Sequence, residues 1–194
     1  MEQIPYAITR QFSPAQVETI TGVPVATLRD WKRRELIHPD AIKGWNKFGL
    51  GTVCFIAVLK AASDAGLSVK ALMGWAPAWA GAVQMHVLAM HAAWESPNDL
   101  AELKLSERQQ GGLLRPMRFG VALSKGGYHL TDDPNQFAYR EGSVSYTVLD
   151  LEKLAQLIVQ RADGPILKLG HDQVRERPDG SVSIYMGPRS AGDE

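Results

Sequence analysis

The chain has 194 residues, 45% of them hydrophobic, with 21 Lys/Arg balanced by 21 Asp/Glu and a single cysteine. That is enough apolar material for one large or two small cores, too even a balance for a general polyanion binder, and one thiol too few for an intrachain disulfide. No run approaches the roughly 18 apolar residues of a membrane span, and Glu2, Pro5 and Arg10 leave no room for a secretory leader, so a cytoplasmic location and no membrane partner are expected.

From the N-terminus, Ser13-Pro14-Ala15-Gln16-Val17-Glu18 predicts a helix with Ser13 as its cap and Pro14 at its first position, closed by Thr21-Gly22. A second helix starts at Pro24 and continues to Arg34. So short a turn around a glycine is helix-turn-helix spacing. Charge concentrates here: residues 1–75 hold nine Lys/Arg against six Asp/Glu, and Arg29, Lys32, Arg33, Arg34, Lys43 and Lys47 fall in one 19-residue window. Such local cationic density is what phosphate contacts require. His38-Pro39-Asp40 and Lys43-Gly44-Trp45-Asn46-Lys47-Phe48 predict a turn and a small hairpin, with Trp45 and Phe48 packed inward. A helix follows over 50–65, with Cys54 buried in it and Gly66 as its stop, then a shorter one after Ser68.

Residues 78–95, between Pro77 and Pro97, predict one helix in which Trp79, Val83, Val87, Met90 and Trp94 form an apolar seam. That seam either fills a core or joins two copies. Residues 95–110 are polar and complete a helical connector over 76–110, with Gly111-Gly112 as a break. Strands are expected at 118–123, 136–140, 144–148 and 181–186, with a helix from Asp150 to about Arg161 and a disordered end over 188–194. The fold class is therefore α+β: an N-terminal winged helix-turn-helix over 9–75, an apolar connecting helix within 76–110, and a small C-terminal part over 111–187. That last part carries antiparallel strands and one helix, and would serve dimerisation or sensing.

Five elements, Thr21-Gly22-Val23, Thr27-Leu28-Arg29, Leu36-Ile37, Gly44-Trp45-Asn46-Lys47-Phe48 and Ala65-Gly66-Leu67-Ser68, follow one another in a recognisable order and spacing. Residues 12–72 thereby resemble the DNA-binding domain of the MerR family. The resemblance implies a transcription regulator that binds double-stranded DNA at promoters and changes its twist, with RNA polymerase as a neighbouring partner. The physics of a recognition helix assigns the parts. Leu28, supported by Val25 and Leu36, anchors the buried stripe; Ala26, Thr27 and Arg29 come within reach of base edges, Arg29 with the fork that suits guanine. Trp31, Lys32 and Arg33 approach the backbone, as do Lys43, Asn46 and Lys47 of the wing.

Four residues depart from the family pattern. Glu18 stands where a small residue is usual, Asp30 where an aromatic is common, Asn46 in place of the wing arginine, and Glu35 at the glycine position after the recognition helix. The family's long dimerising coiled coil is not visible either, so a homodimer on a palindromic site would be joined by the 78–95 seam or by the C-terminal part.

Other chemistries find little support. His86 and His91 would point about 140° apart on a straight helix, which excludes one shared metal ion. Neither a nucleophile elbow, a P-loop, a zincin motif nor a Cys-His pairing occurs, Lys125-Gly126-Gly127 reads as a hairpin turn, and the cobalamin-binding histidine motif is missing. No enzyme, metal or cofactor is expected. A second class remains open: a phage or mobile-element DNA protein, either a small packaging subunit or an excisionase-like architectural factor. It would protect several clustered sites in a footprint, where a regulator protects one palindrome. A protein-interaction module, the third class, would show no salt dependence of DNA binding.

Overall fold

Local capping delimits the N-terminal helices. The Ser13 hydroxyl accepts the Gln16 N–H at 3.3 Å while the Gln16 side chain accepts the Ser13 N–H at 2.9 Å, a capping box that opens α1 (Pro14–Thr21). The computed structural model describes residues 3–38, 40–42, 45–109, 116–124, 126–137, 145–173 and 189–190. After α1 come α2 (Val25–Arg33), the hairpin of β2 (Asp40–Ile42) and β3 (Trp45–Lys47), α3 (Leu50–Asp64) and α4 (Val69–Leu72). Ser68 caps α4 by accepting the Ala71 N–H at 3.4 Å. The base of the hairpin is tied to the entry of α1 by reciprocal 2.9 Å bonds between Phe12 and Phe48, both buried.

The C-terminal elements close over these helices. β1 (Gln3–Thr9) pairs antiparallel with β7 (Leu167–Gln173), from Gln3 opposite Gln173 to Thr9 opposite Leu167. A second sheet has β4 (Phe119–Leu123) between β5 (Tyr128–Thr131) and β6 (Tyr146–Asp150), all antiparallel. Three helices complete the fold: α5 (Ala76–Leu88), α6 (Pro97–Gln109) and α7 (Leu151–Arg161). α3 packs against α1, α5 and α7, and α5 also against α7, so one apolar core runs from Ala7 to Leu167. Among the described residues no helix is long and apolar enough to cross a membrane.

Several expectations are corrected by this packing. The helix expected over 78–95 stops at Leu88; a 3-10 turn (His91–Ala93) follows, and the Trp94 indole folds back to donate to the Leu88 carbonyl at 3.0 Å. Trp79, Val83 and Val87 are fully buried in this chain's own core, so the seam is not a surface for a second copy. It is also no connector, since α3 and α7 both pack on it. Trp79 lies so close over Gly120 that a Cβ there would sit 2.7 Å from its ring, and this glycine lets helix and sheet meet.

The polar stretch after Glu95 is helix α6, with Ser96 accepting the Asn98 N–H at 3.3 Å at its start and Leu100 and Leu103 buried. Of the strand expected at 136–140, residues 136–137 belong to a 3-10 turn, Pro134–Phe137, and 138–140 lie outside the described residues. Thr131 and Asp133 take the local amides there: the Asp133 N–H donates to the Thr131 hydroxyl and the Asn135 N–H to the Asp133 carboxylate, each at 3.0 Å. Side-chain acceptors of this kind compete with a ladder. Within the end expected to be disordered, Arg189–Ser190 form β8, parallel to β1 on the edge β7 leaves open. The expected strand at 181–186 and the Gly111-Gly112 break lie outside the described residues.

Candidate nucleic-acid interface

The turn between α1 and α2 is held by short local bonds. The Thr21 hydroxyl donates to the Val17 carbonyl at 2.7 Å and accepts the Val23 N–H at 3.2 Å. Gly22 takes φ 73° and donates to Glu18 at 2.8 Å, a left-handed cap that glycine adopts without steric cost. Val17, Ile20, Val23 and Leu28 are buried at the crossing. Beneath it, Arg161 of α7 donates to the Ile20 carbonyl at 3.3 Å, so the C-terminal part supports the helix-turn-helix directly.

At about 100° per residue, Ala26, Arg29 and Arg33 fall within about 60° of one another on α2, opposite Leu28. All three are exposed, as is Lys32, whereas Thr27 on the flank is half-buried. Val25 and Leu36 are half-buried and Ile37 fully so; Ile37, more than Leu36, completes the buried stripe. Trp31 is half-buried against the core, which leaves only part of its indole on the surface.

The departures from the family pattern find local solutions. Glu18 points to solvent. Asp30 is ion-paired with Arg33 and, at 2.9 Å, with Arg34. Its charge is thus compensated within α2, by side chains 77% and 65% exposed. Pairs so open to water hold weakly, and a phosphate can compete for the same guanidinium groups. Glu35 takes φ 57°, the left-handed conformation its glycine position calls for.

On the wing, Lys47 is exposed beside buried Phe48. Asn46 falls on β3 opposite Ala41, but its side chain and that of Trp45 lie outside the described ones, and Lys43 lies outside the described residues altogether. Two cations not foreseen from the sequence, Arg10 and Lys168, border a cavity together with Lys47. Pairing across the length of the chain brings them there, and no local pattern announces it.

Residues 12–78 match the family model described as MerR HTH family regulatory protein, which is less than half of the 194 residues. The comparisons with curated proteins and with solved structures gave no significant match. The matched segment contains α1, the glycine turn, α2, the hairpin wing and the α3–α4 pair in order. Over residues 12–78, therefore, the chain is similar to the helix-turn-helix of the MerR family of regulatory proteins.

Proposed function

We propose that the protein is a sequence-specific regulator of transcription that lays α2 in the major groove of double-stranded DNA, with Arg29 reading a guanine. The outward face of α2 carries this reading. Arg29 is exposed just past the first helical turn and pairs with no carboxylate among the described residues, and its planar fork matches the O6 and N7 acceptors of guanine. Ala26 and Thr27 flank it near the bases. Trp31, Lys32 and Arg33, with Lys43, Asn46 and Lys47 of the wing, supply backbone contacts. At a promoter, RNA polymerase would be the neighbouring protein.

Binding to a selected site and to its single-base variants tests the assignment. Arg29→Ala should cost about 1–3 kcal/mol and lose discrimination at one base pair, whereas Lys32→Ala should weaken every sequence alike. Equal losses for Arg29→Ala on matched and mismatched sites would remove it from base readout.

The reading includes a homodimer on a palindrome, because one winged helix makes few phosphate contacts and specific affinities near ~10⁻⁸ M usually need two half-sites. With the Trp79 seam enclosed, the interface falls to the C-terminal surface, where Met117 and Val148 are exposed apolar side chains. Sedimentation of the full chain should give twice the monomer mass. A monomer at concentrations well above the DNA affinity would remove the palindrome.

A further inference from the structure

A cavity of about 400 Å³ opens between wing strand β3, the chain segment that enters α1, and the approach to β7. This is within the size range of small-molecule sites. Its framework is main chain: Arg10 donates to the Ile166 carbonyl at 2.8 Å, Ile166 to Ala93 at 2.9 Å, and Glu95 to Leu167 at 2.8 Å. Ile8, Ile166 and Leu167 give it a buried apolar floor.

Its polar lining is unbalanced. Arg10, Lys47 and Lys168 contribute three cations against the one carboxylate of Glu95. Arg10 is fixed as wall, since its guanidinium donates to the Asp163 carbonyl and lies 5.5 Å from the centre of the Phe12 ring. Lys47 and Lys168 are exposed and free to turn inward. Gln11 also lines the cavity, and its side-chain amide nitrogen is buried with no hydrogen-bond partner. A buried donor left unpaired is unfavourable, and a turn of the Gln11 side chain toward an acceptor held in the cavity would relieve it.

We infer that this cavity binds a small organic carboxylate, its apolar body on Ile8, Ile166 and Leu167 and its charge between the Gln11 amide and the two lysines. A DNA phosphate could use the exposed lysines, but it has no apolar body to cover the floor and no reach to a buried amide. Since Lys47 belongs to the wing, an occupant would draw its charge away from DNA. That link rests on the proposed wing contact; the cavity itself does not.

The test is a titration of ¹⁵N-labelled full-length protein, without DNA, by benzoate and by phenylacetate. Saturable shifts of the Gln11 side-chain amide and the Ile166 and Leu167 backbone amides are expected at about 1–10 mM, the range for ligands of about ten non-hydrogen atoms. Lys168→Gln should weaken binding several-fold, and benzyl alcohol should bind far less well. No saturation by either carboxylate, or equal binding of benzyl alcohol, overturns the inference. So does a response to inorganic phosphate that matches benzoate, which would mark a backbone-phosphate surface instead. In a second arm, benzoate should weaken DNA binding by the unmodified protein but not by Lys47→Gln. An occupied cavity with DNA affinity unchanged overturns the coupling to the wing and leaves the carboxylate site standing. Failure to bind DNA in the absence of benzoate overturns the regulator reading alone.

Discussion

Among the described residues the same helix-ending motif occurs after α2 and after α3, with different residues at its left-handed position. After α3, Gly66 (φ 79°) donates to Ser63 at 3.0 Å and Leu67 to Ala62 at 2.9 Å; after α2, Glu35 (φ 57°) donates to Lys32 at 3.0 Å and Leu36 to Trp31 at 2.9 Å. Both are Schellman ends, and only the first has the residue the conformation favours. A side chain in this region costs about 1–2 kcal/mol relative to ordinary backbone, part of which returns when glycine raises the entropy of the unfolded chain. Glu35→Gly should therefore stabilise the protein by about 0.5–1 kcal/mol. The measurement is urea unfolding, with a raised midpoint and an unchanged slope. A lowered midpoint would mean that the Glu35 side chain makes a contact worth more than its backbone strain. At the other extreme of constraint, Cys54 is wholly buried in α3, and burial pushes its thiol well above the usual range, so it is a packing residue and not a nucleophile.

Among the elements, those with local punctuation were readable from the sequence. Ser13-Pro14, Gly22, Gly66, Ser68 and Asp150 each cap or stop a helix through bonds within a few residues, and these α-helices start and stop where such residues predict. What was missed depends on partners distant in the chain. β1 contains Pro5, which argues against a strand, and it is one only because β7 lies alongside, with Pro5 opposite His171. The alternation Leu167-Lys168-Leu169 was available as a signal for β7 and was too short to stand alone. For the interface, the exposed face of α2 follows from helical periodicity, whereas Arg10 and Lys168 meet Lys47 only through the β1–β7 pairing.

The start of α7 shows how one residue serves two elements. Asp150 accepts the Lys153 N–H at 2.9 Å as helix cap and takes Arg118, at the edge of β4, at 2.8 Å. Partial burial is the largest single influence on its carboxyl and pushes it up. The Arg118 hydrogen bond, the Lys153 N–H and the charges of Arg118 and His86 outweigh that and hold it below the ordinary carboxylate range. A carboxyl whose folded-state pKa is depressed adds stability that is fully present above its unfolded-state value, near ~4, and is lost as pH falls through the lower folded value. Asp150→Asn keeps a capping side chain but loses the charge. The mutant should be less stable at neutral pH, and the gap should close on acidification below about pH 4. Chemical denaturation of both proteins across that range measures it; a gap independent of pH would show that the ion pair with Arg118 contributes nothing.

At the scale of the whole molecule, the family-matched segment and the remainder share one core. Within α3, Leu50, Val53, Ile56, Val58 and Leu59 are each at most 1% exposed, and they point around the whole circumference of the helix. α1 and α4 cover only part of that circumference, while α5 and α7, both outside residues 9–75, cover the rest. Each large apolar side chain uncovered forfeits about 1.5–3 kcal/mol, and a domain's entire margin is only about 5–15 kcal/mol. Loss of α5 and α7 would expose several such side chains, and also remove the Arg161 bond to Ile20 that braces α1. A fragment of residues 9–75 should thus fail to fold alone, in spite of containing nearly the whole family-matched segment. The full chain should unfold in one cooperative transition, and the fragment should give no transition in urea and poorly dispersed amide resonances. If the fragment instead unfolds cooperatively and binds DNA, then α1 to α4 form an independent unit and the shared core is a contact between two autonomous domains. The first outcome carries a consequence for the proposed function: strain imposed on α7, by a ligand or a partner, reaches α1 through packed side chains, and so would shift α2 against bound DNA.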